Sequence, residues 1–404
     1  DNVAIGVLAI ADNTTGSNNV GIGREALEKN TTASNNTGIG HQALGANTTG
    51  ANNTSVGMQA MQDNTTGANN VAMGQAALAN NTTAANNTAI GYASLATNTT
   101  GATNVAVGGS AMGGNTTGGT NVAVGQSALG ANTTASNNTA MGYNALGANT
   151  TGSNNVAVGR LTLDANTTAS SNTAVGDSAL GVNTTGAYNT AIGKDALASC
   201  TTGPYNTAVG LGAMGNITTG QQNVAVGYHA SIAATTGLYN SSLGLECAKD
   251  LTTGSNNLCL GYRAGDNTTH FHLTTQSNRI VIGNQNTTNA YIQVAWTVVS
   301  DARDKTEIEN IPVGLDLINE LRPVSYKFTD NREDNNPVGR TKYGFLAQEI
   351  LDVEGENPVI VDDEEEEKLK MTTDNLTAVL VKSVQELSTQ VDELKQELIA
   401  LKGE

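Results

Sequence analysis

The chain has 404 residues, of which 14% are charged and 3% aromatic, and it carries a formal net charge of −17 at pH 7. Residues 1–299 hold 11 acidic and 7 basic side chains, whereas residues 300–404 hold 25 acidic and 12 basic ones. With no basic stripe, and no apolar stretch near the ~20 residues of a membrane span, the sequence argues against nucleic-acid binding and membrane insertion.

A glycine recurs at every seventeenth residue from Gly6 to Gly261, sixteen times in all. The repeating unit reads N-[VT]-A-[IV]-G-x-x-A-[LM]-x-x-N-T-T-[GA]-x-N. Its short alternating run suits a β-strand, and its Asn-Thr-Thr-Gly cluster suits a turn. We therefore predict a mainly β chain, in which residues 1–265 form a parallel β-solenoid or β-roll shaft of sixteen coils. At about 4.8 Å per coil the shaft would be roughly 77 Å long.

The predicted core of this shaft is thin. In the first strand Val3 and Ile5 share one face and Ala4 lies on the other, while the column four residues after each glycine is mostly Leu or Met. Each coil thus has two or three apolar side chains. This predicts oligomerisation that buries either the small Ala and Gly faces or the bulky apolar columns between chains.

The repeat resembles the head repeat of trimeric autotransporter adhesins, which form left-handed β-rolls side by side in threes. That resemblance implies a homotrimer, which the 17-residue period alone does not give. The usual adhesin unit is shorter than the one found here. The chain begins at Asp1 inside a repeat, which predicts a fragment whose anchoring segment lies upstream.

The shaft shows no catalytic signature. Its nearly neutral surface of hydroxyls and amides suits either glycan binding or a hydrated stalk. Cys200, Cys247 and Cys259 fall inside repeat columns, so we interpret them as structural substitutions and not as a disulfide framework. The adjacent Thr14 and Thr15 would point to opposite faces of a strand, which disfavours a two-column ice-binding array.

Residues 266–299 are predicted to form a β-rich neck, because the glycine register fails at Asn278 although Ile280 to Gly283 repeat the strand motif. His270 and His272 would share a strand face in this neck, and in a trimer their six imidazoles could surround an octahedral metal. The alternative interpretation is two ordinary loop histidines. No cofactor is expected.

Residues 300–372 are predicted to form a small α+β domain. Its expected elements are a helix from Pro312 to Leu321, an acidic loop from Asp362 to Glu367, and three strands at Val324–Phe328, Tyr343–Ala347 and Val359–Val361. Residues 373–404 are predicted to form a helix capped near Asp374. Its heptad seam predicts a coiled coil, against the alternative of a helix packed on its own domain, and consists of Leu380, Val384, Leu387, Val391, Leu394, Leu398 and Leu401.

Four blocks in this region resemble the S74 peptidase module, the C-terminal intramolecular chaperone of phage endosialidases and other tail fibres and spikes. They are Ser300–Lys305, Leu321–Tyr326, Gly344–Glu349 and Val384–Leu387. In this family a Ser–Lys dyad cuts the chain just before its own serine. The resemblance therefore implies Ser300 as nucleophile, Lys305 as general base and the Val299–Ser300 bond as the cleavage site.

These features together predict a trimeric phage-type tail fibre or spike, located on the virion surface or otherwise extracellular. It would bind a host receptor or glycan, and its C-terminal chaperone would set the register of the shaft and then cleave itself off. The alternatives are a bacterial cell-surface trimeric adhesin with the same module, an uncleaved trimerisation cap and an ice-binding protein.

Overall fold

The computed structural model describes residues 1–267, 271–287, 289–291, 293, 300–329, 336–356, 358–364 and 369–403. The chain forms two compact units, residues 1–284 and residues 285–404.

The first unit is a parallel β-solenoid with one three-residue strand in each coil. Each strand pairs with the next at an offset of 17 residues, as Val105 does with Val122. The predicted mainly β solenoid with a 17-residue repeat is therefore confirmed. Strands β1 to β16 are Val3–Ile5, Val20–Ile22, Thr37–Ile39, Thr54–Val56, Val71–Met73, Thr88–Ile90, Val105–Val107, Val122–Val124, Thr139–Met141, Val156–Val158, Thr173–Val175, Thr190–Ile192, Thr207–Val209, Val224–Val226, Ser241–Leu243 and Leu258–Leu260.

The sheet continues beyond the last regular repeat. Strand β17, Ile280–Ile282, pairs in parallel with β16, and Leu258 lies opposite Ile280. The offset at this step is 22 residues instead of 17. The first part of the segment predicted as a neck is therefore one more, longer coil of the solenoid.

The core of each coil consists of small side chains around one larger one. In one coil Ala72, Ala77 and Leu78 are fully buried. Because the middle residue of each strand points into its own coil, the Ala columns are not available for contacts between chains. The flanking residues of the strand, such as Met73, face outward, so the bulky columns form an exposed apolar face.

Buried asparagines add hydrogen bonds between coils to a core that contains few large apolar side chains. Asn132 donates through Nδ2 to Asn115 Oδ1 at 2.7 Å and to the Ala135 carbonyl at 3.0 Å. In a second column, Asn138 N donates to Asn121 Oδ1 at 2.9 Å. These contacts recur between successive coils. Because these amides are hydrogen-bonded, apart from Asn183 Oδ1 at the point where Cys200 replaces the next asparagine, the desolvation of the polar groups is offset and the spacing of the coils is fixed.

The last coils carry a different core from the rest. The column that holds Asn from Asn13 to Asn183 becomes Cys200, Ile217, Ala234 and Leu251, while the Leu/Met column becomes Ser231, Ala248 and Gly265. In the coil of Leu251 the large side chain has thus moved to the former Asn column, and the Leu/Met column holds the small Ala248. All three cysteines are free and buried in this region, and burial raises the pKa of the Cys200 thiol to about 11.

The recurring glycines allow backbone to contact backbone. At Gly125 the φ angle is +136°, and a Cβ there would lie 2.4 Å from the carbonyl oxygen of Gly142 in the next coil. A side chain at this column would therefore meet main-chain atoms that cannot rotate away. The same close approach recurs at every glycine of this column from Gly6 to Gly244, which explains why the sequence keeps glycine at these fifteen positions, whereas a Cβ at Gly261 would lie 3.4 Å from Gly283 Cα.

The second unit is small and has a mixed architecture. Its core consists of Leu317, Ile350, Ile360, Val361, Leu376 and Val379. In chain order its elements are a 3₁₀ turn Ala302–Asp304, α1 Leu315–Glu320, β18 Val324–Thr329, β19 Pro337–Gly344, α2 Ala347–Glu354, β20 Val361–Asp362, β21 Lys370–Met371 and α3 Thr373–Lys402. Strands β18 and β19 form an antiparallel hairpin, and so do β20 and β21. No helix in these described parts of the chain is both long enough and apolar enough to cross a bilayer.

Several predicted boundaries in this unit were wrong. Helix α1 begins after Gly314 and not at Pro312. The strand expected over Tyr343–Ala347 ends at Gly344, and Ala347 instead begins α2, a helix that the sequence analysis missed. The short apolar run before Ala347 resembled a strand, yet Ile350 is buried as part of a helical face.

We predict that Gly125→Ala destabilises the shaft by about 1–3 kcal/mol or more, because it combines a positive φ angle with a backbone clash. The matched control is Gly109→Ala, where a Cβ would meet no atom within 4 Å. Thermal unfolding followed by circular dichroism measures both variants. Equal melting temperatures for the two would contradict the close approach of the coils.

Candidate functional site

A tight turn brings the predicted nucleophile and base together. Asp301 caps the 3₁₀ turn Ala302–Asp304 by accepting a hydrogen bond from Arg303 N at 2.9 Å. The turn directs the chain back, so Lys305 Nζ donates to Ser300 Oγ at 2.8 Å. The two side chains therefore lie within the distance required for direct proton transfer. Val299 lies outside the described residues.

The charges beside this pair neutralise one another. Arg303 binds Asp301 through Nε at 3.1 Å and through Nη2 at 2.5 Å. These bonds lower the pKa of the Asp301 carboxyl. As an isolated charge Arg303 would favour the unprotonated form of Lys305, and Asp301 would oppose it. In the structure the two side chains pair with each other, so neither acts on Lys305 as an isolated charge.

The pair is fully accessible to solvent in the single chain. Ser300, Lys305 and the residues between them are all exposed. A lysine takes a proton from serine only when its amine is unprotonated, a form that desolvation favours. The geometry for nucleophilic chemistry is thus present, whereas the burial that would activate it is absent from the single chain.

Two of the blocks that resemble the S74 module meet beside the hairpin. Arg322 forms an ion pair with Glu349 on α2, with Nε at 3.2 Å from Oε2. Gly344 lies opposite Val324 in the hairpin, and a Cβ on this glycine would lie 3.0 Å from Tyr326 Cε1. The sequence analysis singled out these blocks, and the structure places them in contact.

Glu354 is a structural residue that the sequence analysis missed. Its carboxylate accepts three backbone hydrogen bonds, from Val359 N at 2.9 Å, Ile360 N at 2.7 Å and Val361 N at 3.0 Å. It thereby fixes the segment that leads into β20 against the end of α2. A glutamate near a helix C-terminus carries no sequence signal for this role.

The long helix α3 holds the segment that follows the Ser–Lys pair. Glu386 Oε2 accepts a hydrogen bond from Leu315 N at 2.7 Å, and Lys382 Nζ donates to the Ile311 carbonyl at 2.8 Å. Lys382 and Glu386 also pair with each other at 3.4 Å. Any movement of α3 would therefore act on residues 311–315, a few positions after Lys305.

The predicted heptad seam of α3 lies open in the single chain. Its seven residues, Leu380 to Leu401, are between 41% and 73% exposed. A different face of the helix, with Leu376, Val379 and Ser383, packs on the domain core. The helix thus has one apolar face covered by its own domain and a second one without a covering element in the described residues.

The predicted histidine site is only partly described. His270 lies outside the described residues. His272 Nε2 lies 3.3 Å from Asp250 Oδ2 within the same chain. The described parts of the chain contain no group of three or more His, Cys, Asp or Glu side chains arranged to hold a metal ion.

A comparison with protein families gives a match to part of the second unit. Residues 300–360 match the peptidase S74 family model, whose description is chaperone of endosialidase. The matched segment begins at Ser300, contains Lys305 and ends before α3. The resemblance to this family is thus confirmed for residues 300–360. Comparisons with curated proteins and with solved structures gave no match.

We predict that the contribution of Glu386 to stability depends on pH. The hydrogen bond from Leu315 N–H, and to a smaller extent the contact with Lys382, lowers the pKa of the Glu386 carboxyl below its ordinary value of 4.5. The contribution of Glu386 to the free energy of unfolding is therefore fully present above pH 4.5. It is lost as the pH falls through the lowered pKa that this carboxyl has in the folded protein.

Urea unfolding followed by the helical circular-dichroism signal tests this dependence. Glu386→Gln should be less stable than wild type at pH 7, and the difference should disappear in acid. Glu397→Gln, at an exposed position farther along α3, is the control. A wild-type advantage that persists in acid would show that the carboxylate charge is not the cause.

Proposed function

We propose that this chain is a trimeric phage-type tail fibre or spike, located on the virion surface, in which the solenoid shaft attaches to a host. Its C-terminal unit acts as an intramolecular chaperone that aligns three chains and then cleaves itself off between Val299 and Ser300. The observation that carries the cleavage proposal is the 2.8 Å contact of Lys305 Nζ with Ser300 Oγ at the first residue of the matched segment.

The chemistry follows from the position of the nucleophile. Ser300 Oγ attacks the carbonyl carbon of Val299, and its proton passes to Lys305 Nζ. The C–N bond then breaks, and the Ser300 amine takes the proton, which leaves Val299 attached to Oγ as an ester. Water hydrolyses this ester, so that the shaft ends in a carboxylate and the released unit begins with serine.

The exposure of the pair suggests how cleavage depends on assembly. Lys305 is solvated in the single chain and would act as a base only after neighbouring chains exclude water. Helix α3 connects the two events, because it carries the open seam and also binds residues 311–315. Association through the seam would thereby position the segment that contains the dyad.

The need for a chaperone follows from the shaft. Its coils are nearly identical, so three chains could pair with one chain displaced by a whole repeat. A module that joins the chains at one end gives the coils a common starting register. Its removal afterwards makes refolding impossible in practice, and the shaft is then kinetically stable.

The number of chains is proposed from the family and not from the seam. Val384 and Val391 alternate with Leu387 and Leu394, a pattern that by itself favours two strands in a parallel coiled coil. Three chains are also suggested by the resemblance of the shaft repeat to trimeric adhesin heads. The exposed apolar face of the solenoid gives such a trimer a surface to bury.

We predict that the wild-type chain splits into residues 1–299 and residues 300–404, whereas Ser300→Ala and Lys305→Ala remain whole. Removal of either group eliminates the nucleophile or its base, so cleavage should fall by at least about 1,000-fold. Intact mass and denaturing gels give the fragments. Ser388→Ala and Lys327→Ala are exposed controls that should cleave normally.

An uncut wild type that still forms trimers would mean that the unit is a retained trimerisation cap. Cleavage of Ser300→Ala at the wild-type rate would remove Ser300 as the nucleophile.

We predict that Leu387→Asn in the seam abolishes both assembly and cleavage. A buried amide at this position leaves polar groups unpaired between the helices. Sedimentation in the ultracentrifuge gives the number of chains, and gels give the extent of cleavage. Val381→Asn, also on α3 and exposed but outside the seam, is the matched control. Full cleavage of a monomeric Leu387→Asn variant would show that cleavage does not require assembly, and would contradict the prediction.

A further inference from the structure

Charged side chains occupy only one part of each coil. In every repeat from residue 13 to residue 261, the eleven residues that run from the column of Asn13 to that of Gly23 contain no Asp, Glu, Lys or Arg. The charges fall in the six residues that follow each glycine. Each coil therefore has a neutral face, which we define as residues 13–19 and their equivalents in later coils.

Two exposed columns line this neutral face. The second threonine of each Thr-Thr pair is exposed, as at Thr185 and Thr202. Three residues later comes a column that is mostly asparagine and is also exposed, as at Asn35. The first threonine is turned inward and donates to the carbonyl of the next coil, as Thr184 does to Thr201 at 3.1 Å.

Tyrosines replace asparagine in the last coils of this column. Tyr188, Tyr205 and Tyr239 are each more than half exposed. The rings of Tyr188 and Tyr205 are stacked, with centroids 5.1 Å apart and planes inclined by 3°. Gln222 lies between the second and the third ring in the same column. Four successive coils thus present a line of three exposed phenol side chains and one amide.

These tyrosines occupy an unfavourable backbone conformation. Their φ angles are +60°, +61° and +59°, in the left-handed region. Asparagine tolerates this region, and most coils use it here, whereas a bulky residue does so at a cost. Large residues adopt positive φ angles elsewhere in this fold, as Leu78 does at +54°, but their side chains are buried in the core. The three tyrosines gain no such burial, and a residue that costs stability without a packing contribution is characteristic of functional sites.

We infer that Tyr188, Tyr205, Gln222 and Tyr239 form a binding site for an uncharged polysaccharide. The C–H groups of sugar rings pack against the exposed ring of Tyr239 and along the exposed edges of the Tyr188–Tyr205 stack, while the phenol hydroxyls, the amide and the adjacent threonines bind sugar hydroxyl groups. The absence of charge along the face selects against acidic glycans, whose carboxylates or sulfates would find no cation. The linear spacing of the coils suits an extended chain of sugars.

This inference rests on the attachment role proposed above and names its ligand class. Binding at one such platform is weak, but copies of the shaft in one fibre would act together. The alternative occupant is a second copy of the chain, which the same experiment tests.

The test uses the full-length chain on a glycan array that carries neutral and acidic glycans. The triple variant Tyr188→Asn, Tyr205→Asn and Tyr239→Asn restores the residue found in most other coils. We expect binding to one or more neutral glycans and to no acidic ones, and a loss of about tenfold or more in the variant. The variant should melt at the same temperature or higher, because asparagine suits its backbone.

The control is Tyr92→Gln with Tyr143→Gln, two exposed tyrosines in the column after the glycine, where other coils carry Gln. It should bind as wild type does. Binding to acidic glycans alone, no binding to any neutral glycan, or unchanged binding in the triple variant would overturn the inference. Dissociation of the oligomer in the triple variant would also overturn it and assign the column to an interface.

Cleavage and chain number are measured on the same samples. If both are normal while neutral glycans fail to bind, the glycan site is wrong and the chaperone proposal is untouched. If glycans bind elsewhere on the shaft and the triple variant is unaffected, attachment is retained without this site.

Discussion

The hydrogen-bonded stacking of one coil on the next is the interaction on which the shaft depends. Every three-residue strand is too short to be stable alone, and each is fixed by its two neighbours. The buried Asn columns add side-chain bonds in the same direction, such as the 2.7 Å contact from Asn132 to Asn115. Polar ladders thus compensate for a core that holds little more than two alanines and a leucine in each coil.

The same repetition leaves the alignment between chains undetermined. In the proposed trimer, nearly identical coils would match a neighbouring chain that is displaced by any multiple of 17 residues. The shaft alone therefore does not set the relative register of the chains. The last coils differ, because Ile217 and Leu251 replace asparagine while Ser231 and Gly265 replace the large apolar residue. Together with the C-terminal unit, these coils give one end of the shaft a distinct identity.

The solenoid could be predicted from sequence because a glycine column, a Thr-Thr pair and alternating strands recur without interruption. The direction of the strand faces was harder. The large Val and Ile side chains point outward and alanines such as Ala72 point inward, since the narrow interior of most coils is already filled by the large side chain of the Leu or Met column.

In the second unit the heptad pattern and the block around Ser300 could be recognised from the sequence, whereas the structural roles of Glu354 and Glu386 could not. Both act by accepting backbone hydrogen bonds from distant segments, and such roles leave no local pattern.

The 17-residue offset also governs how the length of such a shaft can change. Removing one complete coil between β8 and β10 would bring equivalent residues back into the same ladders, because each coil contacts only the next on either side. Removing residues in a number that is not a multiple of 17 would displace the ladders unless a loop absorbs the difference, as the 22-residue coil before β17 does. The solenoid can therefore lengthen or shorten during evolution in steps of one strand spacing, about 4.8 Å, without redesign of either end.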